Sequence, residues 1–387
     1  MDSTVTYILT ISFVFVLSPY LSQLLRLPTA PIEIIVGSIL GYFGVIAVGV
    51  EESHYFDLIA EVGFLYLMFL AGLEINLKSI SKMLKQYRLE TILYLSILPL
   101  LSFLIGHIIL KLHPLVTSSL PIISIGILAT LSKEYGKSRW ISIAFLIGVI
   151  GEVMGIATLT ILEITASVGF GWELFYKLLT LARFLAIILL LYYIFQYLFK
   201  LYPKLNITMM PYIDNRDQDM RLAMGMFFIM IAIMHMLHLE LAFGVFIAGL
   251  FISTFFHHKK ELDSKISSFG FGFLVPIFFI NVGASFDYSY FINSIGIAIK
   301  ITLTMIIIRL ISAIPLVKTI GRRDSLLVGL SLSMPLTLLV AIASAGYHHG
   351  IITKYYYYAM ILASLLEVII SMVVIKLIAL GSHSSKN

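Results

Sequence analysis

The sequence contains no cysteine, and charged side chains make up only 12% of its 387 residues. Without cysteine the chain has no disulfide, no thiolate metal site and no cysteine nucleophile. Soluble globular domains are about one quarter charged. The scarcity of charge therefore excludes a soluble protein of ordinary composition and leaves no region for a sizeable soluble domain.

What the chain has instead is apolar residues, which make up 60% of it. Apolar runs of about twenty residues recur along the whole length, and each can cross a hydrocarbon layer roughly 30 Å thick. Within lipid the backbone is satisfied by helices, because an open strand edge has no partner there. We predict an all-α membrane protein with about thirteen transmembrane helices, near residues 5–25, 31–50, 57–76, 89–110, 117–132, 140–166, 174–199, 220–238, 240–256, 268–286, 289–317, 325–345 and 355–380.

The basic residues predict an orientation. Most of the 26 Lys and Arg residues fall in one set of alternate loops and termini, whereas the opposite set holds Lys111, Lys177 and Lys354. Because basic loops usually face the cytoplasm, we expect the N-terminus outside and the C-terminus inside. The longest polar loop lies near mid-chain, so residues 1–387 are predicted to form one integral membrane domain of two halves, joined near 203–219 and without a soluble regulatory domain.

A few ionisable residues fall inside predicted spans, where charge is costly and marks functional candidates. Glu152 lies in GVIGEVMGI (148–156), about thirteen residues and roughly 20 Å from the inner end of its helix. Arg309 also falls in the middle third of the bilayer. Glu367, Lys300 and Arg183 are further intramembrane charges, for which the sequence favours a structural or lipid-binding role.

Two spans look interrupted. SLSMPLTLL (331–339) contains Pro335, which cannot donate to the helix ladder, and Ser333 and Thr337 can supply substitute hydrogen bonds. In PIISIGILATLSKEYG (121–136), Thr130 and Ser132 break the apolar pattern. These spans are the fifth and the twelfth, so they run in opposite directions. Interrupted spans at corresponding places of two inverted halves indicate a transporter's ion site.

Four longer stretches resemble one known family. They are RLPTAPIEIIVGSILG (26–41), FLYLMFLAGLEINL (64–77), LAFGVFIAGLFIS (241–253) and PIFFINVGASFD (276–287). In this order they resemble the bacterial monovalent cation:proton antiporters of the sodium/proton exchanger superfamily, in particular the branch that includes potassium efflux antiporters. The resemblance covers nearly the whole chain.

The resemblance implies the sodium/proton antiporter fold, with inverted repeats and two crossed, broken helices. It also implies a bacterial cytoplasmic membrane, a homodimer, and a core domain that carries the ion past a dimerisation domain. Glu152 occupies the position of the family's ion-binding carboxylate, and Arg309 that of its basic residue. The chain departs from the pattern by having Glu in place of Asp, and Gly151 in place of the preceding polar residue.

These features predict exchange of Na⁺ or K⁺ for H⁺ by alternating access. Glu152, Thr130 and Ser132 are the predicted cation and proton ligands, Arg309 is a fixed compensating charge, and exchange is expected to be electroneutral and one-for-one. We expect no enzymatic activity, no cofactor, no resident metal and no nucleic-acid partner; the partners are the transported ions and membrane lipid. The alternatives are a proton-uncoupled cation channel, an organic-anion symporter on a related fold, and a membrane scaffold or sensor.

Overall fold

The structure is a computed structural model. It describes residues 3–25, 28–46, 54–73, 75, 77–125, 127–128, 131, 135, 138–168, 171–202, 217–239, 241–256 and 260–380. Every regular element within these ranges is helical, as expected for a chain whose backbone groups must be satisfied in lipid.

The helices are numbered in chain order. They are α1 (Ser3–Leu25), α2 (Thr29–Tyr42), α3 (His54–Leu73), α4 (Leu77–Gln86), α5 (Arg88–Leu101), α6 (Pro114–Ser119), α7 (Arg139–Val168), α8 (Trp172–Leu201), α9 (Gln218–Met236), α10 (Leu241–Phe255), α11 (Lys260–Phe269), α12 (Val275–Ala284), α13 (Phe291–Ser312), α14 (Val317–Ser331), α15 (Leu336–His348) and α16 (Lys354–Leu380). Two π-helical turns extend this framework, Ser102–Ile109 after α5 and Gly270–Leu274 between α11 and α12.

The chain is a multi-pass membrane protein. Among the described residues, nine helical runs are long and apolar enough to cross a bilayer, and three shorter apolar helices accompany them. Each stretch predicted as a span contains helix, although α2 ends at Tyr42 and α6 ends at Ser119, both well before the predicted ends. The number of helices that cross the membrane stays a prediction.

The chain divides into two compact units. The first comprises Met1–Leu17, Glu33–Ser79 and Thr160–Ser285, and the second Ser18–Ile32, Ile80–Leu159 and Phe286–Asn387. The first unit therefore holds α3 and α8 to α12, and the second holds α5, α6, most of α7 and α13 to α16. The predicted joint near 203–219 falls largely on residues 203–216, which lie outside the described residues.

Glycine brings two helices of the first unit together. A methyl group at Gly72 of α3 would overlap the carbonyl oxygen of Phe246 on α10, and one at Gly249 of α10 would overlap the carbonyl oxygen of Phe69 on α3. Helices without a hydrophobic drive to associate in lipid gain from such close backbone packing. Two of the stretches that carry the family resemblance, 64–77 and 241–253, are thus packing partners.

The second unit holds the interrupted segments. Between α6 and α7, residues 120–125 are not helical, and residues 332–335 separate α14 from α15. Helix α13 packs along α16, and α15 packs against both α16 and α6. The unit therefore places two stretches of irregular backbone among apolar helices, which lipid tolerates only where protein covers them.

Candidate cation-binding site

Glu152 lies at the middle of α7, a helix that continues without proline from Arg139 to Val168. Its side chain is 1% exposed. An ionised carboxylate buried at this depth is costly unless it is hydrogen-bonded or paired. The neighbours of Glu152 therefore decide what the site can do.

The first set of neighbours comes from the non-helical segment that follows α6. Helix α6 ends at Ser119, two residues before Pro121. Helices usually end before the residue that precedes a proline, because the pyrrolidine ring disfavours helical geometry there. The chain from Ile122 to Ile125 is irregular and buried, so part of its backbone can bond to side chains of other helices instead of to a helix ladder of its own.

This segment supplies two hydrogen bonds to Glu152. The Ser124 hydroxyl donates to Oε1 over 3.2 Å, and the backbone N–H of Ile125 donates to Oε2 over 3.3 Å. Both donors favour the ionised carboxylate. The sequence predicted the carboxylate but did not identify these two partners, since nothing in the serine pattern distinguishes Ser124 from other hydroxyls in apolar runs.

Glycines on α7 make room for the same segment. A Cβ at Gly151 would lie 2.6 Å from Cδ1 of Ile123, and a Cβ at Gly148 would lie 2.7 Å from Cγ2 of Ile125. A larger residue at either position would force the side chain of Ile123 or Ile125 to shift. Gly151 stands where the family pattern has a polar residue. In this chain the absence of a side chain at 151 leaves the space that Ile123 fills.

The second interruption is built around Pro335. Helix α14 ends at Ser331 and α15 begins after Pro335, whose carbonyl oxygen accepts the N–H of Leu339 over 2.9 Å. The Ser333 hydroxyl donates to the Gly329 carbonyl oxygen over 3.1 Å, and Ser371 of α16 donates to the Ser333 carbonyl oxygen over 3.4 Å. The prediction of an interrupted span here is confirmed, with Pro335 at its end.

Arg309 joins the two interruptions. Its side chain on α13 is fully buried. Nε donates to the Leu332 carbonyl oxygen over 2.8 Å, and Nη2 donates to the Ile122 carbonyl oxygen. Nη1 donates to the Met305 carbonyl oxygen, one turn back on α13, over 3.0 Å. One guanidinium therefore donates to a carbonyl group in each of the two interruptions.

The acidic partner of Arg309 is Glu367. Nη1 lies 3.5 Å from Oε1 of Glu367 on α16, and both side chains are fully buried. No ion pair joins Arg309 to Glu152 in the part of the chain that the structure describes. The sequence predicted that Arg309 compensates the charge of Glu152; the structure instead pairs it with an acid whose role the sequence left open.

The remaining predicted site residues fall in other places. Thr130 and Ser132 lie outside the described residues, as does the Thr337 side chain, although its backbone belongs to α15. Lys300 on α13 and Arg183 on α8 are exposed on the surface of the helices. These two charges therefore have no part in the buried cluster.

Removal of the Ser124 hydroxyl tests the contact to Glu152. At a fixed pH we expect Ser124→Ala to raise the cation concentration for half-maximal transport about tenfold. The ionised carboxylate, which is the form that binds the cation, loses a hydrogen bond of about 1.5–3 kcal/mol, so the proton competes more strongly for it. The N–H of Ile125 remains, so transport persists at high cation concentration. Concentration series in proteoliposomes measure the change, and Ser142→Ala, which removes a hydroxyl bonded to its own helix at Ser138, is the control. An unchanged half-maximal concentration in Ser124→Ala contradicts this role.

Comparison with known proteins extends the resemblance to the whole chain. Residues 10–380 match the family model described as sodium/hydrogen exchanger, transmembrane. YjbQ of Bacillus subtilis, by its name a candidate Na⁺/H⁺ antiporter, is 27% identical over 97% of this chain. The alignment covers 63% of the length of YjbQ, so that relative is considerably longer than the stretch compared.

Two proteins of Methanocaldococcus jannaschii are also similar. The first, named as a candidate Na⁺/H⁺ antiporter 3, is 22% identical over 98% of this chain and 97% of its own length. The solved structure of the sodium proton antiporter MjNhaP1 at pH 8 matches with a TM-score of 0.70 and 17% identity, covering 98% of this chain and 99% of that one. At this identity the match shows a shared fold. With a family model over nearly all of its length and the fold in common, the chain belongs to the transmembrane sodium/hydrogen exchanger family.

Proposed function

We propose that the chain is a secondary active antiporter, which exchanges a monovalent cation for H⁺ with Glu152 as the shared binding group. The observation that carries this proposal is the Glu152 carboxylate itself. It is buried in mid-helix and is held by Ser124 and the Ile125 N–H, which belong to an irregular segment rather than to a rigid helix. Membership of the family supports the same activity.

The chemistry of the exchange is a change of partner on one carboxylate. When it is ionised, Glu152 binds a hard monovalent cation. Hydroxyl groups, backbone carbonyl groups and water supply the other oxygen ligands. Protonated, it is neutral and no longer attracts the cation. Thr130 and Ser132 remain proposed ligands on the same interrupted span.

Burial explains why the two ions must alternate. An ionised carboxylate with no bound ion is costly to move through the bilayer. The site therefore moves only when a proton or a cation is bound to it. Arg309 and Glu367 carry opposite charges and neutralise each other. The net charge of the cluster is then the same with H⁺ or with a monovalent cation on Glu152, which predicts electroneutral one-for-one exchange.

The finer assignments belong to the same proposal. The named relatives favour Na⁺ as the cation, and K⁺ remains an alternative because both ions prefer oxygen ligands. We further propose a homodimer in the bacterial cytoplasmic membrane, with the N-terminus outside, the C-terminus inside, and residues 1–387 acting as one transporter domain. No catalytic residue is assigned, since the proposed activity moves ions without making bonds.

The rival functions make different demands on the same residues. An organic-anion symporter needs a guanidinium with free donors, whereas Arg309 donates to three carbonyl oxygens and pairs with Glu367. A channel would pass cations without moving protons. Coupling therefore separates antiport from the channel, and the donor geometry of Arg309 argues against the symporter.

A proteoliposome assay tests the proposal. Purified protein is reconstituted with a pH-sensitive dye inside, and Na⁺, Li⁺ or K⁺ is added outside. We expect cation-dependent proton flux that is the same at zero and at imposed membrane voltage, because a moving charge would feel about 2.3 kcal/mol per 100 mV. Voltage-dependent flux overturns the one-for-one stoichiometry, and cation flux without proton flux overturns antiport itself.

A further inference from the structure

We propose that Glu367 is a positioning residue for transport: it is the resident counter-charge of Arg309, and through Arg309 it sets the cation affinity and the working pH range of Glu152. This inference rests on the antiport function proposed above. It assigns a role to a buried acid on α16 for which the sequence favoured a structural role.

Glu367 is an unusual carboxylate even among buried ones. It is fully buried, and neither of its oxygens has a hydrogen-bond partner among the described residues. Its 3.5 Å approach to Nη1 of Arg309 is an ion pair without the short, aligned hydrogen bonds of a strong one. Because no hydrogen bond explains the presence of this buried acid, its charge beside Arg309 is the property on which the inference rests.

Arg309 connects this charge to Glu152 through a short path. Its Nη2 donates to the carbonyl oxygen of Ile122, and the same irregular segment presents Ser124 and the Ile125 N–H to Glu152. Two to three residues of chain separate the two ends of this path, or roughly 10 Å at about 3.3–3.6 Å per residue. A net positive charge on Arg309 at that range would be felt at the ion site.

Within the described ranges, Arg309 is the one ion-pair partner of Glu367. The phenol of Tyr94 on α5, fully buried and without a hydrogen-bond partner among the described residues, is close enough to feel the charges of both. The other titratable side chains described on the elements packed against α16 are all exposed or part-exposed: Lys300 of α13, Lys318, Arg322, Arg323 and Asp324 of α14, Tyr347 of α15, and Tyr288 and Tyr290 of the turn before α13.

Neutralising Glu367 therefore has a predictable sign. With glutamine at 367, Arg309 keeps its positive charge without compensation. That charge stabilises the ionised form of Glu152 and repels any cation that approaches it, whether H⁺ or Na⁺. At an effective dielectric constant of about 20, one charge at roughly 10 Å changes binding by about tenfold.

The experiment measures cation-dependent proton flux of Glu367→Gln in proteoliposomes over a pH series and a cation series. We expect the acid limb of the activity profile to move by about one pH unit toward lower pH and the half-maximal cation concentration to rise about tenfold. Glu367→Asp, which keeps the charge, should retain the parent pH profile. Arg309→Gln/Glu367→Gln, which removes both charges, should return the pH profile toward that of the parent, at a lower rate.

The outcomes separate this inference from the antiport proposal. Absence of coupled flux in the parent protein overturns the antiport function. Flux in the parent, together with an unshifted profile and unchanged cation affinity in Glu367→Gln, overturns the role of Glu367. If Glu367→Gln fails to fold, recovery of the doubly neutral variant supports the inference, because the unpaired guanidinium is then the cause of the defect. If Glu367→Gln and the doubly neutral variant both fail to fold, Glu367→Asp decides: a pH profile displaced by about one unit in Glu367→Asp contradicts the inference, because the charge is then still present.

Discussion

We expect Glu152→Gln to reduce cation-dependent proton flux to the level of protein-free liposomes. Glutamine has nearly the shape of glutamate and can still accept from Ser124, but it binds no exchangeable proton and carries no charge to balance a cation. Both half-reactions of the exchange therefore fail together. The dye assay with Na⁺, Li⁺ and K⁺ pulses measures the loss.

Two control variants make this result specific to the carboxylate. Glu152→Asp keeps the charge on a shorter side chain, so it should retain part of the flux with weaker cation affinity. Glu173→Gln neutralises an exposed acid at the start of α8 and should leave the flux at the parent level. Undiminished, pH-dependent exchange in Glu152→Gln removes Glu152 from the mechanism.

Arg309→Gln should have the second large effect, on stability as well as transport. The substitution leaves Glu367 as an uncompensated buried charge and takes donors away from the Ile122 and Leu332 carbonyl oxygens. Breaking a buried ion pair by removal of one partner costs about 3–5 kcal/mol. We expect a clearly lowered midpoint of thermal unfolding of the purified protein in detergent, and a strongly reduced flux.

Arg309→Lys separates charge from geometry at this position. Lysine can still neutralise Glu367, but its single ammonium cannot reproduce the planar fork that reaches three carbonyl groups. Its unfolding midpoint should lie between those of the parent and Arg309→Gln, with flux still strongly reduced. A parent-like midpoint for Arg309→Gln would mean that Arg309 does not hold the two interruptions together.

The site differs from the sequence-based expectation in the acid that is paired with Arg309. The sequence placed Glu152 and Arg309 at similar depths, and the family resemblance made Arg309 the compensating charge for the site. In the structure each has its own partners: Glu152 is bound by Ser124 and the Ile125 N–H, and Arg309 by Glu367. The proposed ion site thus consists of a carboxylate that accepts hydrogen bonds from neutral donors, whereas the buried base is paired with a different acid.

Features that arise from local chemistry of the chain could be predicted from the sequence, and features that arise from helix packing could not. The break at Pro335 could be read from the sequence because proline removes a backbone donor wherever it occurs. The break after α6 was expected from Thr130 and Ser132, but the described irregular residues are 120–125, where Pro121 ends the helix. The same proline rule, applied to Pro121, would have located it. Ser124 and Glu367 offered no such local signal, since their roles depend on which helices pack against them.

Composition and pattern alone determined that this chain crosses a membrane as helices, that Glu152 lies deep within one of them, and that two spans are interrupted. These are consequences of hydrophobicity, of segment length and of proline chemistry, which act locally along the chain. Tertiary structure alone decided that Arg309 binds carbonyl groups of both interruptions, that Glu367 rather than Glu152 is its acid, and that Gly148 and Gly151 seat Ile125 and Ile123. Those contacts join residues far apart in sequence, and the partner of a buried charge is fixed by distances that only the packed helices define.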